Sequence, residues 1–239
     1  MPLLPKIPPE IYILQDLSTL SFSQNIIGGE IPREVFFLPK LSRLLLSENE
    51  LGGEIPDSLQ EATLLKDLDL HSNSLEGTIP DILDKATDLA SLNLAKNNLK
   101  GRLASSLFQL PTLEDLQLSE NQLDGSIPSK LSTASSLKVF NLTSNLIVGS
   151  LPPALGGITS LERLVLRELD LEGSIPTTFS KLTNLLELVM SGTGIDGSIP
   201  TSLGKISKLQ ILDMSSNGLS GAIPETLGRL TKLGRSLEA

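Results

Sequence analysis

The 239-residue sequence predicts an α/β solenoid, in which short coils of chain stack on one another and share one elongated core. Three observations predict this fold. An Asn recurs every 24 residues from Asn25 to Asn145, a Gly recurs at the same interval from Gly29 to Gly221 without exception, and an apolar pair precedes each position of the Asn column. Nine such units follow one another without an insertion or deletion, and the 3% aromatic content indicates an aliphatic core.

The first half of each unit is predicted to be a short strand and a turn. Alternate apolar residues, such as Leu68 and Leu70, indicate a strand over the Leu-x-Leu pair with both leucines inward. The Asn73 that follows is expected to bond backbone groups of its own turn and of the next coil, so that stacked coils carry an asparagine ladder. Leu169 and Thr193 interrupt the column, which indicates either repeat drift or a softer segment that adjusts to a ligand.

The second half of each unit is predicted to return the chain to the next strand. The recurring Gly marks a place where the backbone turns or approaches a neighbour closely. The Ile79-Pro80 step and its equivalents favour an extended backbone, because Pro disfavours helix in the preceding residue. A short helical or 3₁₀ segment then buries residues such as Val35, Leu38 and Leu41.

The repeat Leu-x-x-Leu-x-Leu-x-x-Asn-x-Leu-x-Gly-x-Ile-Pro, matched in full by residues 65–80, resembles the plant-specific class of leucine-rich repeats over roughly residues 7–233. The resemblance implies a right-handed horseshoe or superhelix with a concave parallel β-sheet, a second short sheet at Gly-x-Ile-Pro and short 3₁₀ or helical convex segments. Members of the class include ectodomains of plant receptor kinases and receptor-like proteins. The resemblance therefore also implies a non-catalytic recognition module that binds a peptide, protein or glycan, although this chain lacks the Cys-containing caps of those relatives.

The whole chain is expected to form a single solenoid over residues 1–239. Residues 1–16 would be a partial N-terminal repeat, residues 17–232 nine repeats of 24 residues, and residues 233–239 a truncated tenth repeat or tail. Such uncapped ends would be apolar, which would allow an end-to-end homodimer and would fit a natural fragment or an engineered chain. The compartment stays open: the resemblance implies an extracellular location, but the sequence shows no signal peptide.

Composition and spacing argue against several classes of function. The absence of Cys excludes disulfides, thiolate metal sites and cysteine nucleophiles, and a net charge of −9 disfavours nucleic acid and anionic membranes. No apolar run is long enough for membrane insertion. His71 near Asp69 and Ser47 has the residue types of a hydrolase triad, but an open sheet face offers no oxyanion pocket. We therefore expect no enzyme, no cofactor and no bound metal.

The main candidate site is a group of outward side chains on neighbouring coils of the concave sheet. Valines and an isoleucine form its centre and charged residues form its rim, which is typical of a contact site, although β-branched residues also simply favour strands. The candidate partner-binding residues are Val139, Arg163, Val165, Arg167, Glu187, Val189, Ile211 and Asp213.

A secondary acidic patch is predicted on earlier coils of the same face. Its members are Asp67, Asp69, His71, Glu114, Asp115 and Glu120. They form either a solvated face or a docking surface for a basic peptide, and carboxylates would also suit a weak Ca²⁺ or Mg²⁺ site, although no ligand spacing supports one. Asn141 begins an Asn-Leu-Thr glycosylation sequon, and a glycan there would obstruct the concave face.

Two alternatives to partner recognition stay open. The chain could be a structural scaffold or an engineered solenoid without a ligand, although its irregular surface columns argue against a consensus design. It could also bind an ice or polysaccharide surface, which would require a repeated column of Thr, Ser or Asn. The Ser-rich concave column that begins at Ser23 is interrupted by His71, Ala95 and Arg167.

Overall fold

The computed structural model describes residues 4–81, 83, 85–131 and 134–234, together with the backbone of 237–238. The first three residues of the expected partial repeat, and residues 235, 236 and 239 of the expected tail, lie outside this part of the chain. Within it the chain forms a leucine-rich-repeat solenoid, which confirms the predicted fold class.

The main sheet is parallel and has one short strand in each coil. Its strands are Thr19–Ser21, Arg43–Leu45, Asp67–Asp69, Ser91–Asn93, Asp115–Gln117, Val139–Asn141, Arg163–Val165, Glu187–Val189, Ile211–Asp213 and the terminal Leu237–Glu238. Residues 24 apart are paired from Thr19 to Asp213, as Leu68 is with Leu92. Each strand through the ninth coil is centred on the first apolar residue of its pair, so the three-residue strand begins and ends one residue earlier than the Leu-x-Leu segment predicted. The second residue of the pair still bonds to the next coil, as Leu70 N–H does to Asn93 O at 2.9 Å.

The second sheet consists of separate pairs of short strands. The pairs are Gly28–Glu30 with Glu50–Gly52, Lys100–Arg102 with Gln122–Asp124, Val148–Ser150 with Asp170–Glu172, and Asp196–Gly197 with Gly218–Leu219. Here the paired residues are mostly 22 apart, as Gly29 is with Leu51, so this sheet has a different register from the main one. The first strand of each pair contains the recurring Gly, the second strand ends before it, and all end before the Ile-Pro step or its equivalent. This confirms a second sheet and locates it slightly earlier than predicted.

The return segments are five-residue 3₁₀ helices. Those in the described part of the chain are Pro9–Ile13, Arg33–Phe37, Asp57–Glu61, Ser105–Gln109, Pro153–Gly157, Thr177–Lys181, Thr201–Lys205 and Glu225–Arg229. The residue before each helix is extended and is a Pro except at Ala104, as Pro176 shows with φ −63° and ψ 133°. This confirms the conformation predicted from the Ile-Pro step.

One continuous apolar core runs through the stacked coils. Val35, Leu38 and Leu41 are buried as predicted, and so are the central residues of the main-sheet strands through the ninth coil. The few phenylalanines also contribute, since Phe108 and Phe140 are fully buried and their rings meet edge to face at 5.5 Å. The expected aliphatic core therefore has aromatic contacts at particular coils.

The asparagine ladder forms, but its bonds between coils run to the preceding coil and not to the next coil as predicted. Asn97 Oδ1 accepts from Leu75 N–H at 3.0 Å, and Asn97 Nδ2 donates to Leu70 O at 3.0 Å, so one amide joins two coils. The interruption at Thr193 is partly bridged: its hydroxyl donates to Met190 O at 3.0 Å, and Asn217 Nδ2 donates to the same oxygen at 2.7 Å. Leu169 has no polar side-chain atom, so its side chain forms no hydrogen bond with the preceding coil.

A second periodic feature of the backbone was not predicted from the sequence. The residue before each ladder position adopts a left-handed conformation, with φ between 52° and 60° for the non-glycine members. These members are Gln24, Glu48, Ser72, Lys96, Glu120, Ser144, Glu168 and Ser216. The eighth coil has Gly192 there, with φ +65°, followed by Gly194 with φ +80°. A Cβ at Gly194 would lie 2.6 Å from Leu171 O, so a glycine is required at that position.

Candidate functional site

The candidate site lies on the outer surface of the main sheet. Three columns of side chains point outward there: the first residue of each strand, the third residue, and the residue two positions further on. Because the parallel register places residues 24 apart side by side, the chosen residues from coils six to nine are spatial neighbours, as Val139 and Arg163 are. The structure therefore brings the candidate partner-binding residues together on one face.

The apolar centre of this site is smaller than predicted. Val139, Val165 and Ile211 are half-buried and reach the surface, and we call these three residues the apolar patch. Val189, predicted to be outward and accessible, is only 3% exposed, so that prediction was wrong. Its side chain is on the outer face of the sheet but is covered there.

The charged rim forms two ion pairs along the sheet. Arg163 Nε donates to Glu187 Oε2 in the next coil at 2.7 Å. Arg167 Nη2 donates to Asp213 Oδ2 at 2.5 Å, and these two residues are 46 apart, so the pair crosses the eighth coil. Asp213 was predicted to lie on an exposed rim, but it is only 5% exposed.

Asp213 is held as a carboxylate. Burial alone would raise its pKa, but hydrogen bonds from the Ser215 hydroxyl, Arg167, Ser215 N–H and Ser191 outweigh burial and lower the pKa to about 2. The Ser215 hydroxyl donates to Asp213 Oδ1 at 2.6 Å and Ser215 N–H donates to the same oxygen at 3.1 Å. This carboxylate is therefore an anchor for the Arg167 guanidinium.

The secondary acidic patch is largely paired with basic groups. Asp69 Oδ1 lies 2.7 Å from His71 Nδ1, and Asp67 Oδ2 accepts from Arg43 Nε at 3.4 Å. The two glutamates of the patch also have cationic partners, Glu114 with Lys138 at 2.7 Å and Glu120 with Lys96 at 3.6 Å. The patch is therefore a set of local hydrogen bonds and ion pairs more than one continuous anionic surface.

Asp115 is the member of this patch for which no ion pair is found among the described residues. Burial raises its pKa, although a hydrogen bond from Gln117 and attraction to Arg163 oppose the rise. Gln117 Nε2 donates to Asp115 Oδ1 at 2.9 Å. Within the described ranges, no group of three or more His, Asp or Glu side chains could hold a metal ion.

Two other sequence features have defined surroundings on this face. Asn141 is half-buried in the middle of the sheet, where its Nδ2 donates to Gln117 Oε1 at 3.1 Å and its Oδ1 accepts from Thr143 N–H at 3.0 Å. Glycosylation of this sequon stays a prediction. Ser47 is buried and its hydroxyl donates to Ser23 Oγ at 2.9 Å, so it is not arranged as a nucleophile for His71.

A column of exposed serines lies away from the concave face. Each follows a recurring Gly directly, and the four are Ser126, Ser150, Ser174 and Ser198. Each serine lies next to the recurring Gly of the following coil: a Cβ at Gly197 would lie 3.4 Å from Ser174 Cβ. The 24-residue spacing of these serines is present in the sequence, but it was not predicted to form a surface column.

Comparison with known proteins gives relatives of this fold. The family described as Leucine Rich Repeat matches residues 40–62, 64–86, 112–134, 136–158 and 208–230. No curated protein matches the chain in sequence. None of the described helices is long and apolar enough to cross a membrane.

Solved plant ectodomains are similar to almost the whole chain. One is the ectodomain of the Arabidopsis thaliana membrane receptor kinase GASSHO1/SCHENGEN3 in complex with CASPARIAN STRIP INTEGRITY FACTOR 2, with 37% identity, a TM-score of 0.94, and coverage of 97% of this chain and 28% of that one. Another is the Arabidopsis receptor kinase HAESA in complex with the peptide hormone IDA and the co-receptor SERK1, with 33% identity, a TM-score of 0.90, and coverage of 96% and 38%. The chain thus spans only 28% and 38% of the lengths of these two proteins.

A plant ice-binding protein is also similar. The identity is 29%, the TM-score is 0.71, and the match covers 86% of this chain and 74% of that one. Similar solenoids are thus found both in peptide–receptor complexes and in a protein that binds ice.

Proposed function

Because the chain belongs to the plant-specific class of leucine-rich repeat proteins, we propose that its concave sheet binds an extended peptide, free or as a segment of a protein partner. One observation carries this proposal: the half-buried apolar patch lies among outward charged residues that are already fixed in ion pairs. The core columns repeat from coil to coil, whereas these surface columns differ, so the face has a particular pattern to be recognised.

The dimensions of the face suit a short extended peptide. The fifth coil, which carries Asp115, and the ninth coil, which carries Ile211, are separated by four strand spacings, or about 19 Å at ~4.8 Å each. An extended peptide rises ~3.3 Å per residue, so about six residues would cross these coils. Such a peptide would pass from Asp115, which has no cationic partner among the described residues, to the apolar patch. A basic residue near one end and aliphatic residues near the other would complement this surface.

The proposal is tested by selecting peptides from a random library on the full chain and measuring their affinity by calorimetry. The double variant Val139→Lys and Val165→Lys should weaken a selected peptide at least about tenfold, because two charges replace apolar contacts in the centre of the site. Val189 is unsuitable for this test because it is buried and Lys there would destabilise the fold. The matched control is Leu146→Lys, since Leu146 is 61% exposed and lies outside the concave face.

The possible results separate the proposal from its alternatives. A selected peptide that binds both variants as well as it binds the parent chain would contradict binding at the concave patch. Failure to select any peptide would favour the scaffold alternative. If a glycan binds the parent chain in place of peptides and does not bind the double variant, the concave face is still the binding site, but the ligand is a glycan.

A second candidate function is binding to an ice surface through the serine column. The similarity to a plant ice-binding protein and the four consecutive exposed serines favour it. A thermal-hysteresis measurement on the full chain tests this candidate, with Ser150→Arg and Ser174→Arg as disrupting variants. If the parent chain shows no thermal hysteresis, or if the variants show as much hysteresis as the parent chain, the serine column does not bind ice.

A further inference from the structure

We propose that the Arg167–Asp213 ion pair is a displaceable cover over a hidden apolar subsite centred on Val189. In this account a carboxylate of the ligand takes the Arg167 guanidinium, and a neighbouring aliphatic side chain of the ligand then contacts Val189. The nature of the ligand rests on the proposed function, whereas the cover is a property of the free chain.

Comparison along one column identifies what buries Val189. The third strand residue is exposed at Ser21 and half-buried from Leu45 to Val165, and it becomes fully buried only at Val189 and Asp213. The eighth coil carries Val189, and it lies between the coils of Arg167 and Asp213. The Arg167 side chain therefore passes over this coil to reach Asp213, which accounts for burial at these two positions and not at the earlier ones.

The two residues of the ion pair differ in burial: Asp213 is fixed in the structure, whereas Arg167 is open to solvent. The Asp213 side chain is 7% exposed, whereas that of Arg167 is 51% exposed. If the guanidinium leaves, Asp213 keeps the hydrogen bonds from the Ser215 hydroxyl and Ser215 N–H, so no buried charge is left without partners. Displacement of Arg167 therefore leaves the Asp213 carboxylate hydrogen-bonded, which makes it less costly than breaking a buried ion pair that has no other partner.

The group best suited to displace Asp213 from the Arg167 guanidinium is another carboxylate. The structure shows one hydrogen bond from the guanidinium to Asp213, through Nη2. A guanidinium can form two parallel bonds with a carboxylate, so a ligand carboxylate that approaches from solvent can compete with this single bond. The uncovered Val189 would be continuous with Val165 in the adjacent strand, which is why we assign an aliphatic side chain to the subsite.

The absence of Cys allows a direct test, because a single introduced thiol is the only labelling site. Val189→Cys and Val165→Cys are each placed in the otherwise unchanged full chain, and their rates of reaction with a maleimide are measured at fixed pH. Val189→Cys should react more slowly than the matched control Val165→Cys, which occupies the same column one coil earlier. Adding Arg167→Gln, or separately Asp213→Asn, should accelerate labelling at 189 roughly tenfold or more and leave the rate at 165 unchanged.

Two further arms show whether the cover opens in the native chain. Labelling at 189 should be insensitive to low concentrations of urea, because a local side-chain movement exposes little surface. Acetate should accelerate it relative to chloride at equal ionic strength, with no such difference at 165.

Equal labelling at 189 and 165 in the parent background, or no acceleration by Arg167→Gln in protein whose circular dichroism is native, would overturn the cover. A urea-dependent rate would show that Val189 is reached only by unfolding, and identical rates in acetate and chloride would show that a carboxylate does not displace Arg167; either would overturn the displacement. None of these measurements uses a peptide, so the cover can fail while the proposed function stands, and the reverse also holds.

Discussion

Asp213 stabilises the fold in a pH-dependent way. Burial, opposed and outweighed by hydrogen bonds from Ser215, Arg167 and Ser191, leaves its folded pKa at about 2, below the value near 3.9 of an unfolded Asp. A depressed pKa means that the ionised carboxylate stabilises the folded state above about pH 4. This contribution is lost as the pH falls from about 4 to about 2.

The variant Asp213→Asn should therefore lower the free energy of unfolding at pH 7 by on the order of 2 kcal/mol. The difference from the parent chain should shrink between about pH 4 and pH 2, where the parent carboxylate becomes protonated. Urea titrations across this range measure it. The exposed Asp170→Asn serves as control and should change little at any pH. A pH-independent loss in Asp213→Asn would assign the effect to packing instead of ionisation.

The prediction that Val189 is accessible was wrong because of a single neighbouring side chain. Alternation in the strand correctly predicts that its side chain points away from the core. Its accessibility depends on Arg167, a long side chain 22 positions earlier that reaches past its own neighbour to the coil beyond. Periodicity identifies neighbouring residues, but it does not identify which of several acceptors a flexible Arg selects.

The asparagine ladder is the element that joins successive coils at the turn after each strand. At coil four, Asn97 supplies an acceptor to Leu75 N–H and donates to Leu70 O, and both contacts are buried. At coil seven, Leu169 fills the same position without either function. The chain thus contains a natural comparison for the worth of one ladder position.

Exchanging these two residue types should have opposite effects on stability. Asn97→Leu should lower the free energy of unfolding by about 2–3 kcal/mol, because buried backbone groups lose their partners. Leu169→Asn should raise it by about 1 kcal/mol, because an amide there can accept from Ile147 N–H as the other ladder residues do for their counterparts. Denaturant unfolding measures both. A loss in Leu169→Asn as large as that in Asn97→Leu would show that coil seven has no room for the ladder geometry.

Elements were predictable where one residue type has one local consequence. Pro predicted the extended step before each 3₁₀ helix. The recurring Gly predicted a turn or a close approach of the backbone, and the structure adds that this column is left-handed, with φ between 72° and 82°. The second left-handed column was missed because Gln, Glu, Ser and Lys occupy it. These residue types do not predict a left-handed backbone, and only Gly192 in the eighth coil indicates one.

At the scale of the whole molecule, the two faces of the solenoid follow different registers. The described main-sheet pairs join residues 24 apart through the ninth coil, whereas the second sheet mostly joins residues 22 apart. A single repeat length was enough to predict the concave columns, and so the neighbours of the apolar patch. It did not predict the register of the second sheet, in which the paired residues are 22 apart.

The whole-molecule account is tested most directly by photo-crosslinking. A photoreactive residue is moved one position at a time along a peptide selected on the full chain, and the linked residues are identified by mass spectrometry. Peptide bound across the concave sheet should link to the outward columns, and the linked positions should advance by steps of 24 as the probe moves along. Links to the serine column or the 3₁₀ segments, or links confined to one coil, would contradict recognition across the stacked strands.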